Sequence, residues 1–242
     1  VQGVTEALKA GYRAIDTAAI YQNEEAVGEA IKASGIAREE LFITTKVWNA
    51  DQGYDNTLKA FELSLQKLGL DYVDLYLTHW PKPQLVDTYK AIERLYEEKL
   101  IRVPGVSNHH EHHLQQIFAE ANVLPMVNQI ECHPSLSQDA LRAFCAEHNI
   151  AVTAWAPLGT GIVFTHPVVK QLAEKYSKTP AQIVLRWHLE IGNIVIPKSI
   201  TPERIVENLA IFDFTLQADE VAAISALNTF HRTGSDPDNF NF

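Results

Sequence analysis

Three apolar, strand-like segments of this chain each end near an ionisable side chain that could take part in acid–base chemistry. Asp16 ends the first segment and Tyr21 follows it by five residues, while Lys46 ends the second and His79 the third. In a barrel of parallel strands the carboxyl ends meet at one rim, so these four side chains are expected to lie together. A phenol beside a lysine, a carboxylate and a histidine is a proton donor with a tunable pKa. The four residues indicate an enzyme that protonates an oxygen atom.

The expected electrostatics follow from this grouping. We expect Lys46 to be buried, held in its charged form by Asp16, and to lower the pKa of Tyr21 toward neutrality. His79 would orient a carbonyl oxygen or share the proton. Taken singly, each residue also has a purely structural explanation, because loop tyrosines usually pack, surface lysines are common and a lone histidine is usually a hydrogen-bonded core residue. The coincidence of all four at neighbouring strand ends favours chemistry.

A second group of polar residues follows the last strand-like segment. That strand ends in Lys198 and Ser199, and Thr201 and Pro202 then open a helix that carries Arg204. A helix N-terminus after the last strand of a barrel is a frequent phosphate site, and lysine and arginine add charge that suits a phosphate monoester. An ordinary capped helix with a solvated basic face explains the pattern equally well.

Other kinds of site find less support in the sequence. There is no Gly-x-Ser-x-Gly nucleophile elbow. The histidine-rich run from His109 to His113 has no companion cysteine or second histidine pair, so we interpret it as a polar loop leading into a helix. No metal is expected.

Strand-like and helical patterns alternate throughout the chain, which predicts an α/β fold with a parallel sheet. The predicted strands are 13–17, 41–47, 71–79, 102–107, 126–131, 151–157 and 193–198, and the predicted helices are 4–9, 23–34, 57–68, 88–99, 113–121, 138–147, 167–176, 179–189 and 202–210. A doubly wound sheet is the alternative, but no Gly-x-Gly-x-x-Gly loop follows an early strand. A TIM barrel needs eight strands, so we expect residues 1–242 to be a single barrel domain whose first strand is absent from this sequence.

Bulk composition excludes several classes of function. The chain has 242 residues, 46% of them apolar, and a formal net charge of −10, which argues against nucleic-acid and anionic-membrane partners. No apolar run is long enough for a membrane span. Two cysteines, Cys132 and Cys145, suggest reduced thiols and a cytoplasmic setting. With no obvious apolar surface stripe, a monomer acting on a small molecule is expected.

Several motifs, spread over essentially the whole chain, resemble those of the aldo-keto reductase family. They are Gly11-Tyr-Arg-Ala-Ile-Asp-Thr-Ala, Tyr21 with Asn23-Glu24, Thr45-Lys-Val-Trp-Asn, Leu75-Tyr-Leu-Thr-His-Trp-Pro, Gly105-Val-Ser-Asn, Asn128-Gln, Trp155-Ala-Pro-Leu-Gly and Ile196-Pro-Lys-Ser. The short ending is most similar to small microbial and protozoan members such as 2,5-diketo-gluconate reductases, glyoxal and methylglyoxal reductases and prostaglandin F synthases.

The resemblance implies a (β/α)8 TIM barrel that reduces aldehydes and ketones to alcohols with NADPH. Tyr21 would be the general acid, tuned by Asp16 and Lys46, with His79 orienting the carbonyl. The implied cofactor contacts are Ser107, Asn108 and Gln129 on the carboxamide, Trp155 on the nicotinamide ring, Leu158 at the pyrophosphate, Lys198, Ser199 and Arg204 on the 2′-phosphate, and Glu207 and Asn208 on the adenine. Trp48 and Trp80 would line the substrate pocket.

The chain also departs from the family pattern. The family's first strand and its N-terminal hairpin are absent, Pro104 lies inside a strand, and His109 replaces a usual aromatic or apolar residue. The alternatives are a non-catalytic NADPH-binding relative with a regulatory or structural role, and a cofactor-free barrel isomerase or lyase.

Overall fold

The computed structural model, which describes residues 1–242, contains all seven predicted strands. They are β1 (Ala14–Asp16), β2 (Phe42–Val47), β3 (Val73–Thr78), β4 (Ile101–Ser107), β5 (Val127–Glu131), β6 (Ala151–Trp155) and β7 (Ile194–Val195). The strand order in the sheet follows the chain. The pairs β1–β2, β2–β3, β3–β4 and β6–β7 are parallel, with Asp16 opposite Thr44 and Lys46 opposite Leu77. The prediction of a parallel sheet is confirmed.

Helices fill the connections between the strands. They are α1 (Gln2–Ala10), α2 (Glu24–Ser34), α3 (Tyr54–Leu68), α4 (Leu85–Glu97), α5 (Glu111–Phe118), α6 (Asp139–Glu147), α7 (Pro167–Tyr176), α8 (Pro180–Glu190), α9 (Pro202–Leu209) and α10 (Ala218–Ser225). The sequence predicted all of them except α10. A short 3-10 turn, Ala19–Tyr21, also went unpredicted. No helix is both long and apolar enough to cross a lipid bilayer.

The chain divides into two compact units, each with its own core. The first comprises residues 1–128 with 241–242, and the second residues 129–240. In the first unit the ring of Phe61 packs edge-on against Tyr76 at 4.8 Å between centroids, beneath α3. In the second, Trp187 is fully buried among residues that include Val169 and Ile183, and its indole N–H donates to the Ser225 hydroxyl at 3.0 Å. Burial of such apolar surface drives the folding of each unit.

Pro104 lies inside β4, opposite Tyr76 of β3. Its carbonyl accepts a hydrogen bond of 2.9 Å from the N–H of Met126, which directly precedes β5. The N–H and C=O of one strand residue point to the same side. The missing donor would therefore face the segment that precedes β5 and not the paired strand β3, which limits the cost.

Candidate active site

The four proposed catalytic residues all lie in the first unit, at or just beyond the carboxyl ends of β1, β2 and β3. Asp16 ends β1, Tyr21 ends the 3-10 turn that follows, Lys46 is the penultimate residue of β2 and His79 directly follows β3. Because these strands are adjacent and parallel, their ends bring the four side chains to the same rim.

Lys46 is buried in the centre of this group. Its ammonium is paired with the Asp16 carboxylate and also donates a 2.9 Å hydrogen bond to the carbonyl of Thr17. The lysine is 1% exposed, and a buried ammonium of this kind is stable only with such partners. The expected Asp16–Lys46 pair is confirmed.

Tyr21 lies beside the lysine, with the Lys46 Nζ atom 5.4 Å from its ring centroid. Tyr21 is 51% exposed, and its partial burial together with the neighbouring Asp16 carboxylate raises its pKa to about 12. The expectation that Lys46 lowers this pKa toward neutrality was wrong. Asp16 offsets the lysine charge, so the pair presents little net positive potential to the phenol and burial decides the direction. Tyr21 is therefore protonated at neutral pH.

His79 contacts the aromatic rings of Tyr21 and Trp48. Its ring lies edge-on to Tyr21 at 5.8 Å and to Trp48 at 5.3 Å between centroids. Burial and the Lys46 cation lower the pKa of His79 to about 3. The imidazole is thus neutral, which suits a hydrogen-bond donor to a carbonyl oxygen better than a shared proton.

The loop that carries Tyr21 is anchored to the strand that carries Lys46. The Thr17 hydroxyl donates to Asn23 Oδ1 at 2.6 Å, and the Thr45 hydroxyl donates to Glu24 Oε1 at 2.6 Å. Glu24 is buried at the start of α2. These two bonds hold the loop around Tyr21, because Thr17 precedes the tyrosine and Asn23 and Glu24 lie two and three residues after it.

Trp48 and Trp80, the predicted substrate-pocket residues, both flank His79 in sequence or space, and Phe242 joins them. The Phe242 ring stacks on Trp48 at 5.9 Å and 6° and lies edge-on to Trp80 at 5.2 Å. Its carbonyl accepts hydrogen bonds from Asn49 and Lys82 at 3.1 and 2.9 Å. Sequence reasoning missed this phenylalanine, since nothing local marks a contact with residues far away in the chain.

Ser107 and Asn108, predicted to hold a carboxamide, lie at the end of β4 and are buried. Asn108 has a φ of 62°, and its amide nitrogen donates to the His79 carbonyl at 3.0 Å. Asparagine tolerates the left-handed region better than most residues. The next residue, His109, is fully buried, with its Nδ1 atom 2.8 Å from the Ser107 carbonyl oxygen.

The second unit contains a pocket of about 750 Å³ at the N-terminus of α9. The pocket is lined by all the residues that were predicted to bind the 2′-phosphate and the adenine, namely Lys198, Ser199, Arg204, Glu207 and Asn208. Leu158, predicted to contact the pyrophosphate, lines it as well. Lys198 and Arg204 are exposed. Two cations, the Ser199 and Thr201 hydroxyls and a helix N-terminus form a donor set that fits a phosphate monoester.

Other residues of this pocket are held by their neighbours. The Thr179 hydroxyl donates to Glu207 Oε1 at 2.7 Å, and the Gln182 amide donates to the Glu207 carbonyl at 3.0 Å. Asn208 is buried. The wall of the pocket formed by α9 is thereby tied to the start of α8.

Gln129 and Trp155, the remaining predicted cofactor contacts, lie on β5 and β6. Gln129 is buried, whereas Trp155 ends β6 and is partly exposed. The indole of Trp155 packs against the backbone of Gly234, a contact that the sequence did not reveal.

The histidine-rich run leads into a helix, as predicted, but α5 begins at Glu111, so His112 and His113 lie within the helix and not in the loop before it. His110 is the N-cap of α5, and the His113 imidazole accepts a 3.1 Å hydrogen bond from the His110 N–H. His112 and His113 lie with ring centroids 3.9 Å apart. The cap gives His110 and His113 a structural role.

Comparison with known proteins places this geometry in a family. The aldo/keto reductase family model matches residues 1–229. The chain is 53% identical to the glyoxal reductase of Bacillus subtilis over 242 residues, which cover 100% of this chain and 88% of that protein.

Solved structures agree. An aldo-keto reductase from a Medee basin deep-sea metagenome library superimposes with a TM-score of 0.97 at 48% identity, covering 99% of this chain and 90% of that one. A Bombyx mori aldo-keto reductase in complex with NADP gives 0.93 at 40% identity, covering 98% and 85%. The chain therefore belongs to the aldo/keto reductase family and has that family's α/β, TIM-barrel fold.

Proposed function

We propose that this protein reduces the carbonyl group of small aldehydes and ketones to an alcohol, with NADPH as the hydride donor and Tyr21 as the general acid. The observation that carries the proposal is the cluster of Tyr21, Lys46, Asp16 and His79 at adjacent strand ends. A module that only bound a nucleotide would not need a protonated phenol beside a buried ion pair. Glyoxal reductase among the relatives favours small dicarbonyls as substrates.

In this mechanism the protein positions the carbonyl and supplies the proton. Bound NADPH supplies the hydride. Neutral His79 orients the carbonyl oxygen, and Tyr21 donates its proton to that oxygen as negative charge develops there. The Lys46 ammonium, held by Asp16 and by the Thr17 carbonyl, stabilises the tyrosinate that remains. Trp48, which packs edge-on against His79, forms an aromatic cluster with Phe242 and Trp80 on one side of the imidazole.

The cofactor-binding residues are proposals of the same kind. Ser107, Asn108 and Gln129 would hold the carboxamide, Trp155 would stack on the nicotinamide ring and the backbone of Leu158 would contact the pyrophosphate. Lys198, Ser199 and Arg204 would bind the 2′-phosphate, and Glu207 and Asn208 would contact the adenine. The donor set around the α9 pocket supports this assignment.

The direct test is consumption of NADPH with glyoxal-type dicarbonyls, a keto-sugar acid and an aromatic aldehyde, followed by the loss of nicotinamide absorbance. Turnover that needs both NADPH and a carbonyl supports the proposal and ranks the substrates. Turnover without cofactor would instead indicate an isomerase or lyase, and NADPH binding without turnover would indicate a binding protein.

Reduction is expected to vary little with pH across neutrality. Because the pKa of Tyr21 is raised to about 12, the acid form persists at all pH values below that. We therefore expect kcat/KM for reduction to stay level from about pH 7 to about pH 9, since the free-enzyme acid does not titrate there. A decrease in kcat/KM with an apparent pKa in that interval would contradict either the assignment of Tyr21 as the acid or the raised pKa of its hydroxyl.

Cofactor choice depends on the cations of the α9 pocket. Replacing Lys198 or Arg204 with alanine is expected to weaken NADPH binding about tenfold to a hundredfold, because a hydrogen bond to a charged group is worth about 1.5–3 kcal/mol. NADH lacks the 2′-phosphate and should bind the variants and the parent equally. Lys170→Ala, on the exposed surface of α7, is the matched control. Equal losses for both cofactors, measured by calorimetry, would rule out the phosphate contact.

We further propose that the enzyme is a cytoplasmic monomer. Cys132 and Cys145 are both buried thiols that form no disulfide, which suits a reducing compartment. Light scattering after gel filtration tests the monomer, and a dimer mass would contradict it.

A further inference from the structure

A buried carboxylate in the second unit holds a segment that lies against Trp155. Glu131, the last residue of β5, is 1% exposed and belongs to no step of the mechanism above. Its Oε1 atom accepts hydrogen bonds from the N–H and the hydroxyl of Thr233, at 2.5 and 2.6 Å, and from the Gly234 N–H at 3.2 Å. A single buried side chain thus binds the backbone of a segment about one hundred residues further along the chain.

Two more groups complete the surroundings of this carboxylate. The His133 Nε2 atom lies 3.1 Å from Glu131 Oε1, and the Arg232 guanidinium lies 3.9 Å from Oε2. Burial opposes ionisation, but the hydrogen bonds from His133 and Thr233 lower the pKa of Glu131 on balance. The carboxylate is therefore charged at neutral pH and binds its donors strongly.

Gly234 brings the anchored segment into contact with Trp155. A Cβ atom at position 234 would lie 2.4 Å from Cη2 and 3.1 Å from Cζ3 of the indole, and 3.4 Å from Glu131 Oε2. The backbone of Gly234 is outside the left-handed region, so an alanine here would be disfavoured only by its contact with the tryptophan. Because Gly234 has no side chain, its backbone can pack directly against the edge of the Trp155 indole.

We propose that Glu131 and Gly234 are positioning residues for the cofactor: the carboxylate fixes the 233–234 segment, and that segment holds the Trp155 indole in the orientation that stacks on the nicotinamide ring. The inference rests on the proposed function, in which Trp155 makes that stack. Neither residue touches the cofactor in this scheme. The hydrogen bonds to Glu131 hold the 233–234 segment in place, and the missing side chain at Gly234 leaves room for the Trp155 indole.

The test compares the whole cofactor with its adenosine half. Calorimetry of the full chain gives the dissociation constants of NADPH and of adenosine 2′,5′-bisphosphate, which carries the phosphate groups but no nicotinamide. Gly234→Ala is expected to weaken NADPH about tenfold, within the range of coupling between residues in contact, and to leave the bisphosphate unchanged. Glu131→Gln, which keeps the shape and removes the charge, should act in the same direction.

A double mutant separates positioning from a general structural defect. Trp155→Phe keeps an aromatic face but removes the Cη2 and Cζ3 atoms of the indole that the new Cβ would meet. Gly234→Ala should therefore have no further effect in a Trp155→Phe background. Ser235→Ala is the matched control in the same segment, and thermal melting checks that each variant is folded.

Three outcomes would overturn the inference: unchanged NADPH affinity in Gly234→Ala, an equal loss for the bisphosphate, or a loss that persists in the Trp155→Phe background. Failure of the proposed function looks different, because the parent itself would then either not bind NADPH or bind it without reducing a carbonyl.

Discussion

Replacing Tyr21 with phenylalanine is expected to lower kcat for carbonyl reduction by about 10²–10⁴-fold, the usual contribution of a positioned general acid. The substitution removes one oxygen atom and leaves the ring, so the edge-on contact with His79 and the neighbouring Lys46 should persist. Affinity for NADPH should be unchanged, because Tyr21 is assigned only to the carbonyl oxygen. Steady-state rates and calorimetric affinities on the same preparation measure the two effects separately.

The control for this prediction is Tyr54→Phe, which removes the same oxygen from an exposed tyrosine on α3. Its rates should match those of the parent. Substantial turnover by Tyr21→Phe would mean that another group donates the proton. Loss of NADPH binding along with the rate would instead mean that the tyrosine supports the cofactor site.

The position of the catalytic cluster could be predicted from sequence because it depends on strand order. Apolar runs that end in Asp16, Lys46 and His79 must lie side by side when consecutive strands pair in parallel, and the structure pairs them so. The contact between Lys46 and Asp16 then follows from length and charge alone. The position of the cluster is therefore determined by the local sequence pattern and by the rule that consecutive strands of a barrel pair in parallel.

The electrostatics of Tyr21 could not be predicted in this way. Whether its pKa rises or falls depends on a balance between burial, the lysine and the carboxylate, each acting over a few ångströms. The sequence contains the charges but not the distances or the degree of burial. The structure reverses the expected direction because burial, reinforced by the nearby Asp16 carboxylate, raises the pKa of Tyr21.

Contacts made by the end of the chain were also beyond sequence reasoning. Phe242 against Trp48 and Gly234 against Trp155 join residues separated by long stretches of chain, and the segment after α10 has no periodicity. The sequence does contain one weak indication of α10. Gln217 and Glu220 form a capping box, which marks a helix start even where the apolar stripe is short.

Acidification is expected to unfold the protein well above the pH at which carboxylates titrate. Three histidines, His79, His109 and His188, are buried, and burial is the first cause that lowers the pKa of each to about 3. In the unfolded chain their pKa values return to about 6.5, so below that pH the unfolded state binds more protons than the folded state. Stability is therefore lost as pH falls from about 6.5 toward 3.

The hydrogen bonds around His188 show why protonation is unfavourable. Its Nε2 atom lies 2.9 Å from the Pro157 carbonyl, and its Nδ1 atom faces the side-chain amide nitrogen of Asn193 at 3.1 Å. A neutral ring that donates from Nε2 and accepts at Nδ1 satisfies both partners. A proton added at Nδ1 would oppose the amide donor, and no acceptor would replace it.

The expected magnitude is large. Each histidine contributes about 1.4 kcal/mol per pH unit, so at about pH 5 the three together cost about 6 kcal/mol, which is comparable to the whole stability of an ordinary domain. Between about pH 5 and 7 most carboxylates are ionised in both the folded and the unfolded state, so the slope in that interval reports the histidines. Urea unfolding at a series of pH values between about 5 and 7 measures that slope as a number of protons.

A single substitution tests the assignment. His109→Phe replaces one of the three titratable imidazoles with a ring that cannot be protonated, at a site where the Nε2 atom of the histidine is buried without a hydrogen-bond partner. The substitution should lower the slope of stability against pH by about one third. His231→Phe, at an exposed position, should leave the slope unchanged. If stability were level from about pH 6.5 to about pH 5, the buried histidines would have to be protonated in the folded state, and the neutral His79 on which the mechanism depends would be wrong as well.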